Sequence, residues 1–313
     1  MSTISHPSFC AEDDSQTTMR VVATDDGYEF FEGESPILHY QAMPRSLNGK
    51  FERAGYVHPL HDLDGNVLTE DFPPDHLHHR GVFWAWHQLY VGDTQVGDPW
   101  ICRDFLARVD SVKVLKSEPD SAGICATVHW VSPDRTTPTG ELKPIIREET
   151  TIRTFRSDGS HRMIDFRIAL VALEPSVRIG GSDDAKGYGG FSPRLRLPQD
   201  IRFIAEQGEV EPLKTAVNPS RWMDMVGSFS VDPTSGSGTT SGVTVLCHPS
   251  LPGFPHKWIL RKTRSMQNPA FPGREPVPVP TDKPLELRYR IIVHRGEASA
   301  QQLAKWFANY SAE

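Results

Sequence analysis

Imidazole is the side chain whose unperturbed charge change falls near neutral pH, and it is also the commonest metal ligand. This chain concentrates it. Of 13 histidines, His76, His78, His79 and His87 lie in a single stretch, Asp75-His76-Leu77-His78-His79-Arg80-Gly81 running on through Val82-Phe83-Trp84-Ala85-Trp86-His87. His58 and His61 stand just upstream, in Tyr56-Val57-His58-Pro59-Leu60-His61-Asp62. Clustered imidazoles repel one another when charged and lose hydration when buried, so a cluster is costly unless a site uses it. A single such histidine reads more simply as a turn cap, and a tryptophan such as Trp84 or Trp86 as core. The density of HxHHR after HPLH favours the functional reading.

Two kinds of chemistry suit the cluster. The first is proton transfer on a carbohydrate. Opening or epimerising a hemiacetal needs a base for the anomeric hydroxyl and an acid for the ring oxygen, each with a pKa near the working pH. A histidine held by a neighbouring Asp or Arg can be the acid; Asp75, Asp165, Asp184 and Glu149 are all candidates for the base, and the sequence does not choose among them. Glycosidase chemistry would need two carboxylates facing each other across a bond, and no motif pairs them. The second is metal binding, with His76 and His78 chelating one ion and a third ligand from His58, His61, Asp75 or His248. A cupin-type site would add a glutamate shortly after the histidines; none occurs between Arg80 and Glu118. The HEXXH pattern is absent too, so no metal and no cofactor is assigned, and the cluster is where an ion would bind if one is used.

The elements that must position these groups read as short strands. Alternation begins at Met19 and continues through Tyr28–Glu32 and Pro36–Tyr40 to Gly55–Leu60, with Asp64-Gly65 as a hairpin signal. Pro73 and Pro74 force an extended approach to the cluster. Read as a strand of period two, the cluster places His76, His78, Arg80, Val82, Trp84, Trp86 and Gln88 on one face. Aromatic faces cover the C–H side of a pyranose and planar polar groups bind its hydroxyls, so this face resembles a sugar-binding surface, with Trp84 or Trp86 as platform if either is open. Further strands follow at 105–115, 123–131, 145–155, 163–170, 243–249 and 285–294. On the 145–155 strand, Arg147, Glu149, Thr151 and Arg153 share a face that reads as a solvated exterior. The glycine-rich segment 180–194 lacks the GxxxxGK[ST] pattern of a phosphate loop; its glycines allow close backbone approach, and it presents Lys186, Tyr188 and Arg194. Residues 234–242 read as a flexible tip and 269–280, rich in proline, as an edge or flap. Ser299-Ala300-Gln301-Gln302 fits a capping box that starts one helix, with Leu303, Trp306, Phe307 and Tyr310 as its packing stripe.

Bulk properties narrow the class. The chain has 313 residues with 33 basic against 40 acidic side chains, a formal charge of -7 that gives no reason to expect a nucleic acid partner. Pro 26 and Gly 24 suit short strands and turns. Cys10, Cys102, Cys125 and Cys247 form no CxxC pair and read as reduced thiols of a cytoplasmic protein. Residues 1–18 read as a loose tail without signal-peptide features, and no apolar run is long enough to cross a membrane. The expected architecture is an all-β, two-sheet antiparallel sandwich over 19–313, one domain with a short C-terminal helix.

His58-Pro59-Leu60, Asp64-Gly65, Pro74-Asp75-His76-Leu77-His78-His79-Arg80-Gly81, Lys186-Gly187-Tyr188-Gly189-Gly190, His248-Pro249 and Tyr289-Arg290 resemble the bacterial PmoA-like family of uncharacterised soluble proteins, from about Ala42 to Gly296. The DHxHHRG motif is the most specific mark of the resemblance. It implies a galactose-mutarotase-like β-supersandwich and a carbohydrate substrate, although the Asn-His signature and late catalytic glutamate of aldose epimerases have no clear counterpart. Carried over, the matching positions are His58, Asp75, His76, His78, His79, Arg80, Lys186, Tyr188, Arg194 and His248. Together with the strand reading, this assigns proton transfer to His76, His78, His79 and Asp75. Substrate contact falls to His58, Arg80, Trp86, Lys186, Tyr188, Arg194 and His248. The expected function is acid–base chemistry at or near the anomeric carbon of a sugar or sugar derivative, of epimerase, lyase or hydrolase type. A non-catalytic carbohydrate-binding module and a histidine-ligated metal-dependent enzyme are the alternatives.

Overall fold

The computed structural model describes residues 18–231 and 238–313. The tail expected over 1–18 lies outside those residues except for Thr18, as do residues 234–237 of the tip expected over 234–242, and Gly238 already opens the strand Gly238–Cys247. Two antiparallel sheets dominate. A six-stranded sheet runs Met19–Ala23, Gly27–Glu32, Ser35–Gln41, Tyr56–Leu60, Val82–Ala85, Gly190–Pro193 in spatial order. A nine-stranded sheet runs Leu106–Val114, Ser121–Thr136, Leu142–Phe155, His161–Ala172, Leu285–Arg295, Gly238–Cys247, Trp222–Val231, Arg202–Ala205, Gly208–Glu209. The strand Trp222–Val231, which buries Met223 and Met225, was not among those expected from the sequence.

Alternation builds the layer between the sheets. In Leu142–Phe155, Ile146, Glu148, Thr150, Ile152 and Thr154 are buried while Arg147, Glu149, Thr151 and Arg153 face outward, as the period-two pattern requires. Across the layer the rings interleave: Trp84 meets Phe166, Phe166 meets Phe191 at 5.1 Å between centroids, and Phe191 stacks on Tyr289 at 4.5 Å. Trp84 and Phe191 belong to the six-stranded sheet, Phe166 and Tyr289 to the nine-stranded one. Each such pair is worth about 0.5–1.5 kcal/mol beyond the apolar area it buries.

The helix Ala300–Ser311 starts where the capping box places it, the Ser299 hydroxyl accepting from the Gln302 amide at 3.1 Å. Leu303, Trp306, Phe307 and Tyr310 pack on Trp222, Leu246 and Ile292. Those three alternate with the core residues Met223, Val245 and Ile291, so the helix covers the opposite face of the nine-stranded sheet from the sandwich core. No helix among the described residues is long and apolar enough to cross a membrane.

A smaller four-stranded sheet, Val277–Pro278, Val177–Gly180, Gln88–Val91 and Thr94–Gly97, carries the proline-rich segment on its edge. It continues from the six-stranded sheet: Val82–Ala85 leads through Trp86 and His87 into Gln88–Val91, and Val177–Gly180 leads through a glycine loop into Gly190–Pro193. The loops between these strands gather at one place.

Candidate functional site

The histidine motif is not a strand. Residues 73–81 form turns, and pairing resumes only at Val82. The His76 amide donates to Pro73 O at 3.0 Å and the His79 amide to His76 O at 2.8 Å, two successive i→i+3 turns. Three-residue spacing therefore sets the side chains. His76 and His79 stack with ring planes 8° apart at 4.7 Å, and His78 meets both edge-on. The strand reading put His79 opposite His76; proline at 73 and 74 blocks the amide donors a ladder would need, and the turn reverses the geometry. Gly81 then lets the chain re-enter the sheet, because a Cβ there would stand 1.9 Å from Val57 O.

Each residue of the motif has a definite place. The His76 Nδ1 lies 2.6 Å from Asp75 Oδ2. Asp75 in turn accepts from Arg194 Nη2 at 2.8 and 3.0 Å, while Arg194 Nε donates to Glu70 at 2.7 Å. Burial pushes the Asp75 pKa up, but the bonds from His76 and Arg194 outweigh it and hold the carboxyl below its usual range. An ionised Asp75 is an acceptor only, so it takes a hydrogen bond from His76 Nδ1. His76 keeps 44% side-chain exposure. His78 is half-buried, and burial first of all lowers its pKa to about 4. Burial also depresses that of His79, which is 2% exposed. Both rings are neutral at pH 7.

A second Asp–His pair stands nearby. His87 follows the Val82–Ala85 strand, and its Nδ1 lies 3.0 Å from Asp98 Oδ2. The other Asp98 oxygen accepts the Ile101 amide at 3.2 Å, inside a turn closed by reciprocal Asp98–Arg103 main-chain bonds. His87 Nε2 is buried with no hydrogen-bond partner among the described residues. Trp100 stacks on His87 at 5.4 Å and meets His79, the ring stacked on His76, edge-on at 5.6 Å.

His76, His78, His79, His87, Trp100, Lys186 and Tyr188 line one cavity of about 290 Å³, closed on its far side by Ile259, Arg261, Arg264 and Met266. Beneath it Tyr56, Phe83, Ala85, Trp100, Ile259 and Met266 form a buried apolar floor. The glycine loop supplies Lys186 and Tyr188 because Asp184 pins it from within, accepting the Ser182 hydroxyl at 2.8 Å and the Lys186 amide at 2.8 Å. Tyr188 packs edge-on against both His87 and Trp100 at 5.0 Å.

The other expected site residues lie elsewhere. Trp86 is 0% exposed and donates its indole N–H to Phe271 O at 2.9 Å, and Trp84 is buried against Glu148. Neither can be a stacking platform; Trp100 and Tyr188 supply the aromatic walls instead. Arg80 is fully buried, bonded to Asp71 at 3.1 Å and to the carbonyls of Arg45 and Phe51, so it holds the motif's base and touches no solvent. Arg194, 1% exposed, acts through Asp75. His58 bonds Thr69 at 3.0 Å outside the cavity, with burial lowering its pKa to about 4. His248 is the clearest correction. Cys247 faces the core, so the next residue points the other way, and His248 packs on Tyr310 of the helix and bonds Ser250 at 2.7 Å. It does not converge on the cavity.

His87 with Asp98, Trp100, Arg261 and Arg264 are the residues the sequence reading did not assign. The basic run Arg261-Lys262-Thr263-Arg264 was the one available signal for the last two. Among the described residues no three His, Cys, Asp or Glu side chains converge to hold a metal ion; the imidazoles stack or meet edge-on and do not point their nitrogens at a common centre.

Residues 29–308 match the sequence model of a family described as a family of unknown function, DUF6807. No curated protein matches the chain.

Proposed function

The chain belongs to the DUF6807 family, and from that premise we propose that it acts on a sugar or sugar derivative by acid–base chemistry, with His76 and His87 as the proton-transfer groups. One observation carries this reading: two imidazoles, each with Nδ1 on an aspartate, line the same cavity. A carboxylate on one ring nitrogen fixes the tautomer and raises the basicity of the other. Asp75 and Asp98 therefore position the rings and do not themselves meet substrate. His78 and His79, neutral by burial, offer hydrogen bonds to hydroxyls without adding charge.

The size fits a small ligand, since small-molecule sites occupy roughly 300–1,000 Å³ and this cavity is at the lower end. Trp100 and Tyr188 provide aromatic surface at its side, which suits the C–H face of a sugar ring. The resemblance of the DHxHHRG region to PmoA-like proteins, with their galactose-mutarotase-like fold, supports the same substrate class. A purely binding role would need the aromatic walls but not two oriented Asp–His pairs.

The test follows anomeric NMR signals of a panel of aldoses and their derivatives incubated with wild-type protein, His76→Asn and His87→Asn. Exchange or conversion by the wild type that both variants lose supports the reading. Identical behaviour of all three proteins on every sugar removes proton transfer from both residues.

A further inference from the structure

The cavity's charge is unbalanced. Three cations line it, Lys186, Arg261 and Arg264, and no carboxylate does. Three acids stand beside it and each is already engaged: Asp75 by His76 and Arg194, Asp98 by His87 and the Ile101 amide, and Asp184 by the Ser182 hydroxyl, the Lys186 amide and the Lys186 ammonium. Three buried arginines elsewhere are neutralised. Arg194 has Glu70 and Asp75, Arg290 has Asp165 and Glu313, and Arg162 has Glu32.

Arg261 differs. Its guanidinium is held only by main-chain carbonyls, Nη1 donating to Leu213 O at 2.7 Å and Leu260 O at 2.6 Å, and Nη2 to Lys214 O at 2.8 Å. Those bonds fix its direction without cancelling its charge. Three of its five N–H donors are used, and the Nε–H and one Nη2–H have no partner among the described residues, enough for a bidentate grip on one anion. Its main chain is locked too, the Arg261 amide and carbonyl both bonding the side chain of the buried Gln267 at 2.9 Å. Arg264 is exposed and forms no ion pair among the described residues, and Lys186 meets only Asp184 at 3.5 Å. Burial lowers the pKa of Arg261, a cost that a bound anion would offset. On a chain of net charge -7, a local positive hollow attracts anions against the background field.

We propose that the substrate is an acidic sugar, whose carboxylate or phosphate sits on Arg261 and Arg264 beside Lys186 while its hydroxyl-bearing ring faces His76 and His87. This rests on the proton-transfer reading above and adds the charge class of the substrate. Arg261 is then the specificity-determining residue: it is the one cation of the three that is both oriented by the main chain and left without a counter-ion.

Binding to the full chain is measured by calorimetry, using D-glucuronate, D-galacturonate and D-glucose 6-phosphate, their neutral parents D-glucose and D-galactose, and acetate and inorganic phosphate. At least one acidic sugar should bind roughly tenfold or more tightly than its neutral parent, the strength of charge-assisted hydrogen bonds, with an affinity that falls as salt rises. Arg261→Gln should remove that preference. Arg264→Gln, at an exposed position where folding is not at stake, should reduce it. A stronger response to the uronates assigns a carboxylate, and to the 6-phosphate a phosphate. Equal binding of acidic and neutral sugars, or a preference that survives both substitutions, overturns the proposal while leaving the sugar reading standing. If acetate or phosphate binds as tightly as every acidic sugar, with the same arginine dependence, the anion seat stands and the sugar reading falls. No binding of any acidic sugar overturns the proposal as well.

Discussion

Replacing Asp75 with asparagine tests the site without depending on a known substrate. Asp75→Asn keeps the shape of the side chain but puts a donor where an acceptor was. Today the carboxylate takes the Nδ1 proton of His76 at 2.6 Å and two bonds from Arg194 at 2.8 and 3.0 Å. The amide oxygen can still accept from Arg194, so the amide nitrogen must face His76 Nδ1. It then donates to that nitrogen and moves the ring proton to Nε2. The proposed base is then lost, and of the two Arg194 bonds only the one at 2.8 Å to Oδ1 is kept. General acid–base catalysis contributes roughly 10²–10⁴-fold, and on the proposed reaction any turnover found should drop within that range, while reading the tautomer needs no substrate. Arg194 keeps Glu70 at 2.7 Å, and Asp75 is partly open to water, so the stability cost should be modest, about 1–2 kcal/mol in urea unfolding. The tautomer itself is read by two-dimensional 15N–1H spectra of the imidazoles. Wild-type His76 should show a protonated Nδ1, and Asp75→Asn a protonated Nε2. If the wild-type ring already carries its proton on Nε2, the account of how Asp75 prepares His76 is refuted, whatever the enzymology shows.

Three further outcomes follow from geometry. Gly81→Ala would drive a methyl group into Val57 O, at 1.9 Å from the new Cβ; since backbone must move, circular dichroism melts should show a loss of about 3 kcal/mol or more, and a variant as stable as wild type would contradict the packing described. Glu148→Ala would strand the indole N–H groups of Trp84 and Trp130, both now donating to the carboxylate at 2.8 Å, at a cost of about 2–5 kcal/mol by chemical denaturation. For His294, burial pulls the pKa down, but the hydrogen bond and charge of Asp224 outweigh it and raise it above the ordinary value. That stabilisation is complete below the unfolded-state pKa of about 6.5 and is lost as pH rises through the folded value. The difference in urea midpoint between wild type and Asp224→Asn should therefore be largest at or below about pH 6 and shrink steadily above it; a difference that grows with pH refutes the assignment.

Local periodicity made the frame legible. The outward face of Arg147, Glu149, Thr151 and Arg153 and the helical stripe Leu303, Trp306, Phe307, Tyr310 each depend only on neighbours in sequence, and both are found where the pattern puts them. The histidine motif was legible as a site but not as a shape. Period two and a three-residue turn assign opposite partners to His76, and only the turn gives the His76–His79 stack. Arg194 illustrates a different failure. As the last cation of a glycine-rich loop it looked outward, yet its amide bonds Gly81 O at 2.7 Å and its guanidinium is drawn inside by Glu70 and Asp75. Arg261 reaches the cavity through a loop whose position depends on sheet connections far along the chain, and no local pattern encodes that.

The two walls of the cavity are sewn together behind the site. Asn268 takes the Gly189 amide on its Oδ1 and returns its Nδ2 to the carbonyls of Gly189 and Phe191; Gln88 ties Gly181 O to Arg274 O, and the Gly181 amide bonds Gly273 O. Neither the loop bearing Lys186 and Tyr188 nor the segment bearing Arg261 can swing alone without breaking buried bonds. A ligand of the proposed kind would meet a hollow whose framework these bonds hold in advance.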